Sequence, residues 1–189
     1  METKSIMIVG VGGQGTLLAS RILGNAVISE GYDVKVSEVH GMSQRGGSVV
    51  TYVRYGEKVH SPIIDKGGAD IILAFELLEA KRALPFLKKG GKIIVNSQEI
   101  DPMPVIIGAC EYPDSIASDL KAVADTTVID ALSLAKAAGN QKAVNVVLIG
   151  VMAKNTDIPY EVWINTIKNT VPEKFLEVNL KAFDLGYNS

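Results

Sequence analysis

The chain has 189 residues, 47% of them hydrophobic and 21% charged, with a formal net charge of −2. That length and balance suit one globular domain with its own core, and without a basic run there is no electrostatic footprint for nucleic acid. A single cysteine, Cys110, excludes an internal disulfide and any four-cysteine iron–sulfur or Cys-rich zinc site built by this chain alone.

Met1-Glu2-Thr3-Lys4 leads straight into a strand with no signal-peptide core, so the cytoplasm is the expected location. Ile6, Met7, Ile8 and Val9 form a short apolar run, the mark of a strand buried on both faces. Gly10-Val11-Gly12-Gly13-Gln14-Gly15 then turns the chain. Leu17, Leu18, Ile22, Ala26 and Val27 give the next segment a helical apolar stripe ending near Gly31. Residues 34–36 read as a second strand finishing at Ser37-Glu38. Residues 39–47 are polar and glycine-rich without periodicity, a loop of the kind that carries function.

Residues 48–55 are β-branched and aromatic, Gly56-Glu57 can turn them, and residues 58–61 are expected to return as a hairpin. Residues 70–75 read as another buried strand, followed by a helix carrying Leu77, Ala80, Leu84 and Leu87 that Pro85 should break or kink. Further strands are expected at 92–96, 104–108 and 126–130, with a helix at 114–124. Cys110 is then a small hydrophobe at a strand end. Helices follow at 131–138, 141–154, 160–171 and 173–185. The second of these is apolar almost all round, so it should be buried, and Asn145 within it must be hydrogen-bonded. Its apolar run, residues 143–153, is far below the roughly 18–20 residues of a membrane span. The expectation is one α/β domain over residues 1–189: a largely parallel sheet with helices on both faces, plus a β-hairpin and a helical C-terminal part.

A strand, a glycine-rich turn and a helix N-terminus together make an anion site. Backbone N–H groups converge, the helix dipole adds positive charge, and absent Cβ atoms let a phosphate approach. Gly10, Gly12 and Gly15 satisfy G-x-G-x-x-G in that context, although the same glycines serve a purely structural turn. Glu38 stands 23 residues after Gly15, at the end of the second strand, where a dinucleotide site places its ribose-binding acid. That spacing keeps an NAD(P)-dependent enzyme open as an alternative. The loop adds His40, Ser43, Gln44 and Arg45 near the same strand ends. Arg45 can grip a phosphate or carboxylate in fork geometry, or order an interface; His40 has the chemistry of a general base, but no cysteine or serine nucleophile is tied to it by spacing, and a hydrogen-bonded structural or interface histidine is the favoured reading. No P-loop, nucleophile elbow or H-E-x-x-H is present, so no catalytic residue and no metal site are assigned.

The segments GVGGQG (10–15), TLLASRILG (16–24) and SEVHGMSQRGGSV (37–49) together resemble the gamma-type domain of 2-oxoacid:ferredoxin oxidoreductases, in particular its indolepyruvate branch. DIILAFELLEA, GGKIIVN and GNQKAVNVVLIG follow in the same order, so the resemblance covers most of the chain. It implies a subunit. The family decarboxylates a 2-oxo acid on thiamine diphosphate, sends electrons through iron–sulfur clusters to ferredoxin, and passes the acyl group to coenzyme A. In the indolepyruvate branch, arylpyruvates become arylacetyl-CoA. A large partner subunit would hold thiamine diphosphate, Mg²⁺ and the clusters, in keeping with the lone cysteine and the absence of the Gly-Asp that opens the thiamine motif. The resemblance associates this domain with coenzyme A and with closing the complex, and it carries Gly12, Gly13, Gln14, Gly15, Ser43, Arg45, Gly46 and Gly47 as residues for that role or for the subunit contact. Where many members have an acidic residue and Met before Arg-Gly-Gly, this chain has Ser43-Gln44, which fits the indolepyruvate type better than the pyruvate type. The rival readings are an interaction subunit that binds no nucleotide and a free-standing NAD(P)-binding enzyme.

Overall fold

Continuous apolar strands need cover on both faces, and the chain supplies it. A computed structural model describes residues 2–40 and 46–189. Six strands form one sheet: β1 (Lys4–Val11), β2 (Asp33–His40), β3 (Ser48–Gly56), β4 (Ala69–Ala74), β5 (Leu87–Asn96) and β6 (Asp125–Ile129), in the order β2-β3-β1-β4-β5-β6. β4 pairs parallel with β1 and with β5, and β6 parallel with β5. β3 runs antiparallel between β1 and β2.

The helices are α1 (Thr16–Ser29), α2 (Leu77–Ala83), α3 (Met103–Ile106), α4 (Ile116–Val123), α5 (Ala131–Ala138), α6 (Val144–Ala153), α7 (Tyr160–Thr170) and α8 (Leu176–Tyr187). Strand side chains alternate between two cores. Ile6, Ile8, Val53, Leu73 and Ile94 face α1, α5, α6, α7 and α8. Met7, Val9, Ile72, Ile93 and Val95 face α2 and α4. As its composition requires, α6 is buried almost all round. It meets α8 backbone to backbone: a Cβ on Gly150 would lie 2.3 Å from Phe183 O, and one on Gly186 2.0 Å from Val147 O.

Three local expectations are corrected. The antiparallel hairpin is β2–β3, and residues 58–61 do not return as a strand. Side chains hold that stretch instead: Asp33 accepts from Val59 N at 2.8 Å, and Arg54 donates to Ser61 O at 3.0 Å and Ile63 O at 3.1 Å. Residues 104–108 begin in the short helix α3, because Pro102 and Pro104 remove strand donors and set the chain turning. Cys110 consequently sits exposed in a bend and caps no strand. Pro85 does end its helix, in a 3₁₀ turn at Leu84–Phe86.

Candidate functional site at the glycine turn

The turn after β1 is shaped by Gln14. Its backbone N–H donates to Val11 O at 3.2 Å, and its side-chain oxygen accepts from Val11 N at 2.7 Å. The side-chain amide then reaches β4, donating to Phe75 O at 3.1 Å and to Gln98 Oε1 at 3.4 Å. Asn96 continues the seam. It donates to Phe75 O at 3.2 Å and to Gln98 Oε1 at 3.3 Å, and accepts from Ala131 N, the first residue of α5, at 3.1 Å. In an open α/β sheet the crevice between oppositely leading strands, here β1 and β4, is the usual ligand position. In this protein amide side chains fill it. Gly10 makes room for them, since a Cβ there would sit 2.8 Å from Gln14 Oε1 and 3.0 Å from Phe75 Cβ.

Among the described residues the other flank of β1 borders a cavity. Gly12 N donates to Gly47 O at 2.9 Å, which brings the glycine turn and the start of β3 together. Gly13 takes a φ of 100°, and a Cβ there would touch nothing within 4 Å. Gly15 takes a φ of 84° and hands the chain to α1, which begins with no side-chain cap and no acidic residue in its first turn. The leading N–H groups of that helix are therefore left without a capping side chain among the described residues. A cavity of about 340 Å³ lies there, lined by Gly12, Gly13, Gly15, Thr16, Leu17, Glu38 and Val49. Asn145 fixes the turn from below: its amide donates to Gly15 O at 3.3 Å, its oxygen accepts from Val146 N at 2.9 Å, and it leaves no space for a Cβ on Gly15.

Of the residues singled out in the sequence, Gly12, Gly13 and Gly15 line this cavity, Gln14 turns inward as a strut, and Gly47 touches Gly12. Gly46 is exposed beside Gly47 with a φ of 77°. Ser43, Gln44 and Arg45 lie outside the described residues. Sequence reasoning flagged Asn145 through its isolation on an apolar helix. It missed Asn96, Gln98, Thr16, Leu17 and Val49, none of which carries a local signal. Glu38 does line the cavity, but β3 separates its strand from β1, which puts the two strands roughly 10 Å apart, two strand spacings. A dinucleotide site of the usual kind has them adjacent.

A larger cavity, about 470 Å³, opens at the amino ends of β1 and β4 among Lys4, Lys88, Lys89, Lys92, Asp70, Asp125 and Asp157. Its charges largely compensate, with Lys88 3.1 Å from Asp70 and Lys92 3.0 Å from Asp125. Burial, then the nearby Asp157 and Asp70, push the Tyr55 hydroxyl at its wall up to about 12. It lies at the opposite end of the strands from the glycine turn.

Residues 5–189 match the family described as pyruvate ferredoxin/flavodoxin oxidoreductase. The chain belongs to that family. It is 43% identical to the indolepyruvate oxidoreductase subunit IorB of Pyrococcus horikoshii over 98% of this chain and 95% of that one. It is 28% identical to the ketoisovalerate oxidoreductase subunit VorA of Methanothermobacter marburgensis over 96% of its own length but 35% of that longer chain. Among solved structures, the gamma subunit of a keto/oxoacid ferredoxin oxidoreductase from Geobacter sulfurreducens superposes with a TM-score of 0.74 at 26% identity, covering 98% of this chain and 96% of the other. The α/β domain described above is thus a small, gamma-type subunit of a 2-oxoacid ferredoxin oxidoreductase. Among the described residues no helix is long and apolar enough to cross a membrane.

Proposed function

We propose that this chain is the small subunit of an indolepyruvate-type ferredoxin oxidoreductase and that it holds the diphosphate of coenzyme A on the open flank of the glycine turn. The observation that carries the reading is the uncapped N-terminus of α1, preceded by Gly13 and Gly15 at positive φ and lining a cavity that no side chain of the described residues fills. Converging N–H groups at a helix start suit a phosphate chemically. Glu38 on the far wall is an acceptor suited to a hydroxyl. Gly46 and Gly47 complete the rim, and Ser43 and Arg45 are assigned to the same anion. Gln14 serves by holding the turn in shape.

Coenzyme A supplies the thiol that accepts the acyl group. This chain binds and orients it, and contributes no bond-breaking residue. Thiamine diphosphate, Mg²⁺ and the iron–sulfur clusters belong to a large partner subunit, which passes electrons to ferredoxin. The likeness to IorB favours an arylpyruvate such as indolepyruvate as substrate. Calorimetric titration of the co-purified complex with coenzyme A should give saturable binding that inorganic pyrophosphate competes away, and Arg45→Ala should raise the KM for coenzyme A. Absence of binding, or binding indifferent to pyrophosphate and to Arg45→Ala, contradicts the assignment.

A further inference from the structure

The stretch between β5 and α4, residues 97–115, projects from the same end of the sheet as the glycine turn. Both of its stems close on one buried carboxylate. Glu76 accepts from Ile100 N at 3.2 Å and from the Tyr112 hydroxyl, while capping α2 through Glu79 N at 2.8 Å. The Tyr112 oxygen accepts in turn from Leu78 N at 3.2 Å, and Leu77 N donates to Gln98 O at 3.1 Å. Burial and the Glu76 carboxylate push the Tyr112 hydroxyl upward from its ordinary value, so the clamp keeps its proton at neutral pH.

Between the stems the chain satisfies its own backbone: Val105 N donates to Pro102 O at 2.9 Å, Ile107 N to Met103 O at 3.0 Å and Ala109 N to Pro104 O at 2.8 Å. The large side chains are left outside. Met103, Ile106 and Ile107 are 65%, 64% and 70% exposed. A clamped turn that displays three big apolar groups is unusual on a free surface. Its charge is as lopsided as its hydropathy. Glu99, Asp101, Glu111 and Asp114 surround it, all exposed, and no Lys or Arg occurs between Lys92 and Lys121. Among the described residues none of the four has an ion-pair partner.

We infer that this acid-rimmed apolar knob is the docking surface for the large partner subunit, which receives it in an apolar pocket ringed by Lys and Arg. The inference rests on the subunit reading above. Charge complementarity of this kind steers association and weakens with salt. In the longer VorA chain the matching region is about a third of one polypeptide, so a domain of this kind has further protein attached to it there. Gln98, bonded to both Gln14 and Leu77 N, makes the base of the knob continuous with the sealed flank of the glycine turn.

Cys110, exposed and close to Ile107 in the chain, is a built-in reporter. The complex purified from the native host and the isolated small subunit are labelled with a maleimide, and modification of Cys110 is followed by peptide mass spectrometry. Labelling should slow by about tenfold or more in the complex. Ile107→Asp should weaken reassembly with the large subunit by about tenfold, the scale of an interface anchor. The isolated variant should melt at the wild-type temperature, and added salt should loosen the wild-type complex. A complex in which Cys110 reacts at the free rate, or wild-type affinity in Ile107→Asp, overturns the docking surface and leaves the subunit reading intact. So does an isolated chain that dimerises and is made monomeric by Ile107→Asp, which would assign the knob to a second copy. Failure of the wild-type chain to associate with any thiamine- and cluster-bearing subunit defeats the subunit reading and this inference together.

Discussion

The two flanks of β1 at its carboxyl end differ in what closes them. Toward β4, Gln14, Gln98 and Asn96 knit three strand ends and the start of α5 into one seam of amides. Toward β3, the backbone ladder runs to the pair Val11 and Ser48 and ends in the bond from Gly12 N to Gly47 O, and among the described residues no side chain caps the helix start beyond it. One glycine turn therefore has a flank sealed by amide side chains and a flank that borders a cavity. The fold rule that places ligands at the switch between β1 and β4 points to the sealed side, which residues remote in sequence, Phe75, Asn96 and Gln98, close together with Gln14.

Substitutions on each flank should separate the two roles. The largest effect is expected from Gly15→Ala on the open flank. It forces an L-residue into left-handed backbone and drives a Cβ to 2.6 Å from the Asn145 amide. A loss of about 2–4 kcal/mol in denaturant unfolding is expected, together with loss of coenzyme A binding. Gln14→Ala on the sealed flank should cost about 1–3 kcal/mol, because Phe75 O loses one of its donors and Val11 N loses its acceptor. It should weaken coenzyme A binding far less than Gly15→Ala does. Equal loss of binding in the two variants would mean the flanks act as one.

The smallest effect lies at the far end of the seam. Asp130 caps α5, accepting from Ser133 N at 3.0 Å, so Asp130→Ala should cost about 1 kcal/mol. The Ser133 hydroxyl and backbone N–H hold the Asp130 carboxyl below its ordinary range. Its contribution is therefore present above about pH 4 and fades as the pH falls through the lowered value. Asp130→Asn should keep most of the cap while flattening that acid-side dependence in unfolding curves taken at successive pH values. At the alkaline extreme, the Asp184 carboxylate that accepts from Tyr160, with some help from burial, pushes the Tyr160 hydroxyl up to about 12. Stability linked to it should be intact below pH 10 and fall as the pH rises toward that value, which Tyr160→Phe should reduce in the same curves.

Much of this was legible because the signals are local. The run from Ile6 to Val9 announces a doubly buried strand, the glycines announce a turn, and the apolar ring of α6 announces a buried helix with Asn145 tied inside it. Three family motifs in register then pointed to the gamma-type domain. What was illegible depends on partners distant in the chain. The alternation in β3 reveals a strand but not that it slots between β1 and β2. Gln14 looks like a ligand-facing polar residue until Phe75 and Gln98 are seen behind it. The apolar run after Pro102 looks like a buried strand, yet its stems are clamped by Glu76 so that its side chains face outward.

Leu17→Glu tests the central assignment most directly. Leu17 is 54% exposed in the first turn of α1 and lines the open cavity. A carboxylate at a helix start favours the helix dipole, so the variant should be at least as stable as wild type, while its charge occupies the place claimed for a phosphate. Calorimetry on the assembled complex should show the affinity for coenzyme A reduced by about tenfold or more, with assembly and melting temperature preserved. Unchanged affinity in a folded, assembled Leu17→Glu complex would contradict the account.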